Sequence, residues 1–266
     1  MTIREWIKNK EIAGTSHFSI DEVQHTFANT PEQQIKNELY RLSSRGVITS
    51  VYRGFYVIIP VQYAAKGVVP PLYYIDQLMS NIGKPYYISL LNAAELLGCA
   101  HQRPQRFYVT TIQPYATTSK SKNATLYWVY RKDMPESFLL TKNSETGTIR
   151  YSNAELTTVD VVQYSSHIGG LSRASTLLSE LTEITNFENK IEELLQFTTT
   201  ATLQRLGYIL DEILEESEQA DVIYRQLIAL NKRMVYVPLS NQVDESGEKN
   251  KKWKIDINTE IEVDDV

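Results

Sequence analysis

Amide and basic side chains recur along one side of the segment between residues 30 and 45. Projected onto a helix at about 100° per residue, Ile35, Leu39 and Leu42 form a narrow apolar stripe, and Glu38 projects toward its edge. The opposite face carries no carboxylate in this projection. Asparagine and glutamine can read adenine in the major groove of DNA, and lysine and arginine can contact phosphates or guanine. The residues expected to contact DNA are Thr30, Gln33, Gln34, Lys36, Asn37, Tyr40, Arg41 and, from the hairpin that follows, Arg53.

Catalytic chemistry finds little support in the spacing of the titratable side chains. The four histidines are His17, His25, His101 and His167. None is spaced with another histidine, a cysteine or a carboxylate as a zinc site requires. His101 has polar neighbours, but packing within a loop explains it more simply than catalysis. We therefore expect no metal, no cofactor and no catalytic residue.

A metal-dependent nuclease is the enzyme class that the mixture of predicted strands and helices would fit best. Such an enzyme needs carboxylates and a lysine that converge on adjacent strands around Mg²⁺. The predicted strands at 107–112 and 125–131 contain no carboxylate. The Glu-Asn-Lys run at 188–190 lies in a helical pattern, where a solvated face explains it. The acidic residues at 264–265 are expected to lie in a frayed end, without fixed geometry for a metal.

Three helices are predicted before the first strands. A short one spans Thr2 to Lys8. Ser19 followed by Glu22 is a capping box that opens the second helix, which runs to about Ala28. The third helix is predicted to begin with Thr30 as N-cap and Pro31 at the first helical position, and to end before Gly46. Two helices joined by so short a turn are typical of a helix-turn-helix.

The pattern then changes to strands. The segments 47–52 and 55–59 are rich in β-branched and aromatic residues, and only Arg53 and Gly54 separate them. This spacing predicts a β-hairpin with Arg53 at its tip. Three helices followed by a hairpin predict a winged helix-turn-helix. A solvated helix face and a protein-interaction module are the other interpretations of the same pattern.

A larger domain follows a proline-bearing linker. We predict a DNA-binding domain at 1–62, a linker at 63–72 and a mixed effector domain at 73–266, which places the chain in the α+β class. The predicted elements of the last domain are a helix from Ser89 to Gly98, strands at 107–112, 125–131, 137–140 and 148–151, helices from Ser152 to about Leu230 with a capping box at Ser152 and Glu155 and a break at Gly169-Gly170, a polar loop at 241–252 and a last strand at 253–263.

Charge and composition restrict the compartment and the partners. The net charge is −5, yet residues 1–62 carry seven basic against six acidic residues and the rest of the chain is acidic. No apolar run reaches the roughly 18 residues of a membrane span, and the start lacks the apolar stretch of a signal peptide. The single cysteine, Cys99, excludes an internal disulfide. These features predict a cytoplasmic protein without a membrane partner.

Several segments in the larger domain resemble AbiEi-type antitoxins of bacterial abortive-infection systems. The likeness extends in the right order over nearly the whole chain. The segments that carry it are 85–94 (PYYISLLNAA), 101–102 (HQ), 107–109 (FYV), 155–160 (ELTTVD), 169–171 (GGL), 203–208 (LQRLGY), 237–239 (VPL) and 253–260 (WKIDINTE). Asp160, Arg173 and Arg205 lie in or near these segments, and we expect internal ion pairs there, with contact to a partner as the alternative.

The resemblance implies a function that composition and spacing alone do not give. A member of this family represses its own operon, its winged helix binding inverted repeats in the operator DNA. It also counteracts a nucleotidyltransferase-like toxin, by direct contact or by function alone, for which the C-terminal domain is needed. The alternative is a ligand-responsive winged-helix repressor whose C-terminal domain senses a small molecule.

Overall fold

The computed structural model describes residues 1–99, 104–114 and 126–263, which form a mixed α+β fold with three sheets. The chain is divided into two compact units. The first is built from residues within Met1–Tyr87, Val109–Lys132 and Thr141–Arg150. The second is built from residues within Ile88–Tyr108, Asp133–Leu140 and Tyr151–Val266. The first unit thus contains more of the chain than the predicted domain 1–62.

Three helices open the first unit. Helix α1 spans Ile3–Ile12 and helix α2 spans Ile20–Thr26, and each begins with a complete capping box, at Thr2 and at Ser19. The Ser19 hydroxyl accepts the backbone N–H of Glu22 at 3.1 Å, and the Glu22 carboxylate accepts the backbone N–H of Ser19 at 3.1 Å. Both helix starts therefore have backbone donors satisfied by side chains. The sequence predicts the box at Ser19 but not the one at Thr2, and α1 extends beyond its predicted end at Lys8.

Helix α3 spans Glu32–Ser44 and begins one residue later than the sequence predicts. Pro31 occupies the N-cap position and no side chain caps the helix, so the prediction of Thr30 as N-cap is wrong. The other end agrees with the prediction, because Gly46 adopts a φ of 68° just beyond it. The N–H of Gly46 donates to the carbonyl of Ser43 and the N–H of Val47 to that of Leu42, which is a Schellman motif.

A three-stranded sheet completes these N-terminal elements. Strands β2 (Ile48–Tyr52) and β3 (Phe55–Ile58) form the predicted hairpin around Arg53 and Gly54. A third strand, β1 at His17–Ser19, pairs antiparallel with β3, so the strand order is β1-β3-β2. Strand β1 is not predicted from the sequence, because a three-residue strand is too short to show alternation.

The predicted linker contains ordered structure that packs within the first unit. Helix α4 spans Val61–Ala64, a 3₁₀ turn spans Pro71–Tyr73 and helix α5 spans Ile75–Asn81. Gln62 and Tyr63 each donate to the Glu145 carboxylate, at 3.2 and 3.3 Å. Tyr63, the first residue of the predicted linker, is therefore held by a side-chain hydrogen bond within this unit.

A five-stranded sheet has the order β6-β5-β4-β8-β7, and β4 and β8 pair in parallel. Strand β5 has the predicted bounds, and β6 and β8 lie within about a residue of theirs. The predicted strand at 137–140 differs, because a 3₁₀ turn at Glu136–Phe138 precedes β7. Strand β4 is absent from the predicted elements. The strands are β4 (Tyr86–Ile88), β5 (Phe107–Ile112), β6 (Leu126–Arg131), β7 (Leu139–Ser144) and β8 (Gly147–Ser152).

Helices dominate the second unit. The capping box predicted at Ser152 is wrong, since Asn153 is the N-cap and its side chain accepts the N–H of Leu156 at 3.0 Å. The break at Gly169-Gly170 is present, with both residues at a φ above 100°. A π-helical turn, Ile209–Ile213, follows the sixth of these helices. The helices are α6 (Leu90–Leu97), α7 (Ala154–Gln163), α8 (Ser165–Ile168), α9 (Leu171–Leu181), α10 (Ile191–Leu194), α11 (Thr200–Tyr208) and α12 (Ser217–Ala229).

A small C-terminal sheet packs on α11. Its strands are β9 (Val237–Pro238), β10 (Glu248–Asn250) and β11 (Ile255–Ile257), in the order β10-β11-β9. The predicted strand at 253–263 is thus much shorter, and the predicted loop contains β10. Trp253 is fully buried, and a Cβ on Gly207 would lie 2.0 Å from its ring. The glycine lets the helix approach the indole this closely.

Candidate nucleic-acid interface

Helix α3 is held against the rest of the N-terminal elements by its apolar stripe. Ile35, Leu39 and Leu42 are 2%, 1% and 0% exposed, which confirms their predicted burial. Burying a side chain of this size stabilises a fold by roughly 1.5–3 kcal/mol. The stripe belongs to one core cluster with Ile3, Ile7, Phe18, Val23, Ile48 and Ile58.

The face of α3 opposite this stripe is exposed to solvent. Tyr40 is 76% exposed, and the side chain of Gln33 donates to that of Asn37 at 3.0 Å. That bond uses one donor and one acceptor, and each amide has others to offer a ligand. Of the predicted contact residues, Thr30 is half-buried, and the exposed ones are Gln33, Gln34, Lys36, Asn37, Tyr40, Arg41 and, beyond the helix, Arg53. Their role in binding DNA stays a prediction.

One flank of this face carries an exposed ion pair. The Lys36 ammonium lies 2.5 Å from the Glu32 carboxylate one turn earlier. The prediction of a face without carboxylates is therefore wrong, because Glu32 lies within reach of the basic group. The spacing of four residues between glutamate and lysine is a sequence signal that could have revealed the pair.

The other flank carries a second ion pair of different geometry. The Arg41 guanidinium donates to both carboxylate oxygens of Glu38, from Nε at 2.8 Å and from Nη2 at 2.5 Å. These hydrogen bonds, with the nearby charges of Arg41, Arg45 and Arg4, hold the pKa of Glu38 below its usual range. Glu38 thus stays ionised and orients Arg41, rather than lying unused at the buried edge.

The hairpin tip is fixed by its contact with α2. Gly54 has a φ of 73°, which favours glycine, and its carbonyl accepts the N–H of Ile20 at 2.7 Å. A Cβ at this position would also approach the Ile20 side chain at 3.0 Å. This arrangement leaves Arg53 exposed at the tip, as the sequence predicts.

A known protein family matches the part of the chain that follows the N-terminal helices and hairpin. Residues 87–212 match the family model of the AbiEi antitoxin C-terminal domain. Residues 87–212 therefore resemble an AbiEi antitoxin C-terminal domain, and we name this region the AbiEi domain for that likeness. The match confirms the family resemblance and supports an antitoxin role. No curated protein matches the chain.

The crystal structure of the RV2827C protein from Mycobacterium tuberculosis resembles the chain in fold. The two superpose with a TM-score of 0.66 at 14% sequence identity, over 94% of this chain and 88% of the other. The likeness therefore includes the N-terminal elements as well as the AbiEi domain. At this identity it concerns the fold alone.

Polar residues of the AbiEi domain form internal contacts. The Arg205 guanidinium donates to the Pro238 carbonyl at 2.9 Å and to the Asn241 side chain at 2.7 Å, so its described partners are neutral oxygens rather than the predicted carboxylate. Burial lowers the pKa of Arg205. Asp160 is fully buried, whereas Arg173 is exposed.

The titratable side chains of the described residues are predicted to hold no metal. Over 1–99, 104–114 and 126–263, no group of three His, Cys, Asp or Glu side chains is placed to hold a metal. Residues 188–190 lie in a turn and not in the predicted helix, and Glu188 lies 3.4 Å from Arg225. Cys99 is buried, and burial raises the pKa of its thiol.

Other predicted features fall outside this part of the chain or concern membranes. His101, with its neighbours Gln102 and Arg103, lies outside the described residues, as do the acidic residues 264–265. None of the described helices combines the length and the apolar composition that a membrane span requires.

Proposed function

We propose that this protein is the antitoxin of a bacterial toxin–antitoxin system and a DNA-binding repressor of its own operon. The AbiEi domain supports the antitoxin role. In the proposed system the counteracted toxin is a nucleotidyltransferase-like protein encoded beside the antitoxin. Operator DNA with inverted repeats and this toxin are the proposed partners, the toxin by contact or by function alone.

The exposed polar face of α3 carries the repressor half of the proposal. Helices α1, α2 and α3 followed by the β2–β3 hairpin have the element order of a winged helix-turn-helix, in which the second helix of the motif enters the major groove. Here that helix is α3, whose apolar stripe is buried while its amide and basic side chains face solvent. An amide-rich face on such a helix suits base recognition.

Ion pairs reduce the positive charge that α3 offers to DNA. Lys36 and Arg41 each lie against a glutamate, so the helix supplies oriented hydrogen-bond donors more than net charge. Binding through phosphates depends on net positive charge and releases counterions. We therefore expect weak binding to random DNA and a preference that comes from base contacts.

A titration with promoter DNA tests the proposal. The full-length protein is mixed with the promoter region of its own operon and, separately, with a scrambled duplex of the same length at about 0.15 M salt. We expect a specific complex on the promoter at protein concentrations that leave the scrambled duplex free. Equal affinity for both duplexes would contradict the repressor role.

The antitoxin role has a separate test in cells. The protein is co-expressed with the neighbouring toxin from a promoter that it does not control, and growth is measured. Restored growth is expected even though repression of toxin synthesis is then excluded. Growth arrest despite ample antitoxin would contradict the antitoxin role and leave the DNA-binding result unaffected.

A further inference from the structure

Arg41 differs from the other basic side chains on the exposed face of α3. Its guanidinium donates two hydrogen bonds to a single carboxylate, that of Glu38, whereas the Lys36 ammonium pairs with Glu32 as a point charge. The Glu38 side chain is 25% exposed and that of Glu32 is 61% exposed, so Glu38 is the more confined of the two carboxylates. A planar guanidinium in such a fork has a defined orientation, which an ammonium group lacks.

The hydrogen bonds to Glu38 leave donors of Arg41 available. They use the Nε–H and one hydrogen of Nη2, while a guanidinium has five N–H donors in all. The edge formed by Nη1 and Nη2 therefore keeps two parallel donors. Two parallel donors match the O6 and N7 acceptors that guanine presents in the major groove.

The net charge of the pair favours base contact over phosphate contact. Because Glu38 stays ionised beside Arg41, the pair is neutral as a whole and gains little from the phosphate backbone. Its donors keep their direction, and less side-chain entropy is lost when they bind. Arg41 also lines one groove with Gln34 and Asn37, amides of the kind that read neighbouring bases.

We propose that Arg41 reads a guanine in the bound DNA and that Glu38 is the residue that positions it. The inference rests on the proposed DNA-binding function and assigns one base within the recognised sequence. It separates Arg41 from Lys36, whose ammonium is a point charge without a fixed pair of parallel donors and is expected to contribute no base preference.

Parallel selections from randomised duplexes test this assignment. Full-length wild-type protein and the variants Glu38→Gln, Arg41→Ala and Glu32→Gln each enrich sequences from the same pool of duplexes. We expect a guanine in the wild-type consensus that disappears with Glu38→Gln and with Arg41→Ala. Glu32→Gln is the matched control, because it removes the other carboxylate of α3 and should leave the consensus unchanged.

Substitution of 7-deazaguanine at that position adds a readout that a purely structural role would not change. Loss of the N7 acceptor should weaken wild-type binding about tenfold in fluorescence anisotropy. Binding by Arg41→Ala, already weak, should not fall further. Glu38→Gln should lose most of the preference for guanine, while its affinity for a scrambled duplex is unchanged or higher. Unchanged melting temperatures would show that each variant is folded.

The outcomes separate this inference from the function on which it rests. If the wild-type protein enriches no sequence, the proposed DNA-binding function is overturned. If it enriches one and Glu38→Gln keeps the same guanine, only the role of Glu38 and Arg41 is overturned. The same holds if Arg41→Ala weakens selected and scrambled duplexes equally, because that result identifies a phosphate contact.

Discussion

At the scale of single residues, the exposed face of α3 combines groups that would act on DNA in two ways under the proposed function. The amides of Gln33 and Asn37 can pair with base edges, and their mutual hydrogen bond at 3.0 Å orients both side chains. Lys36 and the exposed Arg53 are suited to phosphates, which carry no sequence information. The two classes predict different effects when they are removed.

Replacement of an amide should reduce sequence preference. For Gln33→Ala or Asn37→Ala we expect a loss of about 1–3 kcal/mol in binding to the promoter and a relaxed preference over random DNA, because a base contact is removed. Fluorescence anisotropy with both duplexes measures the two affinities.

The matched controls are Lys36→Ala and Arg53→Ala. Each should weaken binding to all DNA alike and reduce the slope of log K against log salt, by about one unit for Arg53 and by less for Lys36, whose charge Glu32 partly offsets. If the amide variants bind the promoter as tightly as the wild-type protein does, α3 is not the recognition helix.

Much of this face could be predicted from sequence, but the geometry of the Glu38–Arg41 pair could not. A helical projection gives the direction of each Cβ, which correctly placed Leu39 inward and Gln33 outward. It does not give side-chain rotamers, which decide that Glu38 turns toward Arg41. The contact between Gly207 and Trp253 was not predicted either, because it joins residues that are distant in the chain and no local pattern indicates it.

At the scale of elements, the N-termini of the helices are stabilised to different degrees. Helix α2 has reciprocal hydrogen bonds between Ser19 and Glu22, whereas α3 begins behind Pro31 with no side-chain cap. Proline is favourable at a helix start because the N–H that it lacks has no partner within the helix there. The α3 terminus therefore depends on the packing of its apolar stripe.

This difference predicts unequal costs for two similar substitutions. Ser19→Ala should lower the free energy of unfolding by about 1 kcal/mol, because the hydroxyl that accepts the backbone N–H of Glu22 is lost. Thr30→Ala should change it by less than about 0.5 kcal/mol, since its hydroxyl caps no helix. Urea denaturation of the full-length protein followed by circular dichroism measures both. An equal loss for the two variants would show that Thr30 caps α3 after all.

Local patterns predicted most elements where the residues involved are neighbours in sequence. The Ser19 box and the Gly46 terminus agree with the structure for this reason. The capping-box pattern gave the wrong N-cap at Ser152, because Asn153 beside it is an equally good cap. Ser152 is the last residue of strand β8, and Asn153 is the N-cap of α7. Strand β1 escaped notice because pairing with β3, not its own sequence, makes it a strand.

At the scale of the whole molecule, the N-terminal elements have a core of their own within the larger first unit. The cluster that contains Ile3, Leu39 and Ile58 draws its buried members from the first 58 residues. Other contacts reach farther along the chain, as between the rings of Tyr52 and Trp128, whose centroids lie 6.3 Å apart. The predicted domain 1–62 thus has its main core but not every contact that the full chain provides.

These contacts predict how the fragment 1–65 behaves. It should fold, because its core is complete, but with a lower melting temperature than the full chain, because Tyr52 loses Trp128 and Tyr63 loses Glu145. A core in a chain this short rarely supplies more than about 3–5 kcal/mol, so the loss should be measurable. Circular dichroism on heating tests this, with Leu39→Ala in the same fragment as an unfolded control.

The fragment also separates the two halves of the proposed function. If α3 and the β2–β3 hairpin bind DNA, the fragment 1–65 should bind the promoter more weakly than the full chain and still prefer it to scrambled DNA. It should not restore growth against a toxin expressed from an unrelated promoter, because it lacks residues 87–212, which carry the AbiEi domain. The measurement is the growth of cells that express the toxin with either the fragment or the full-length protein, with the two protein levels matched by immunoblot. Full protection by the fragment would show that antitoxicity does not reside in the AbiEi domain, whatever the result on DNA.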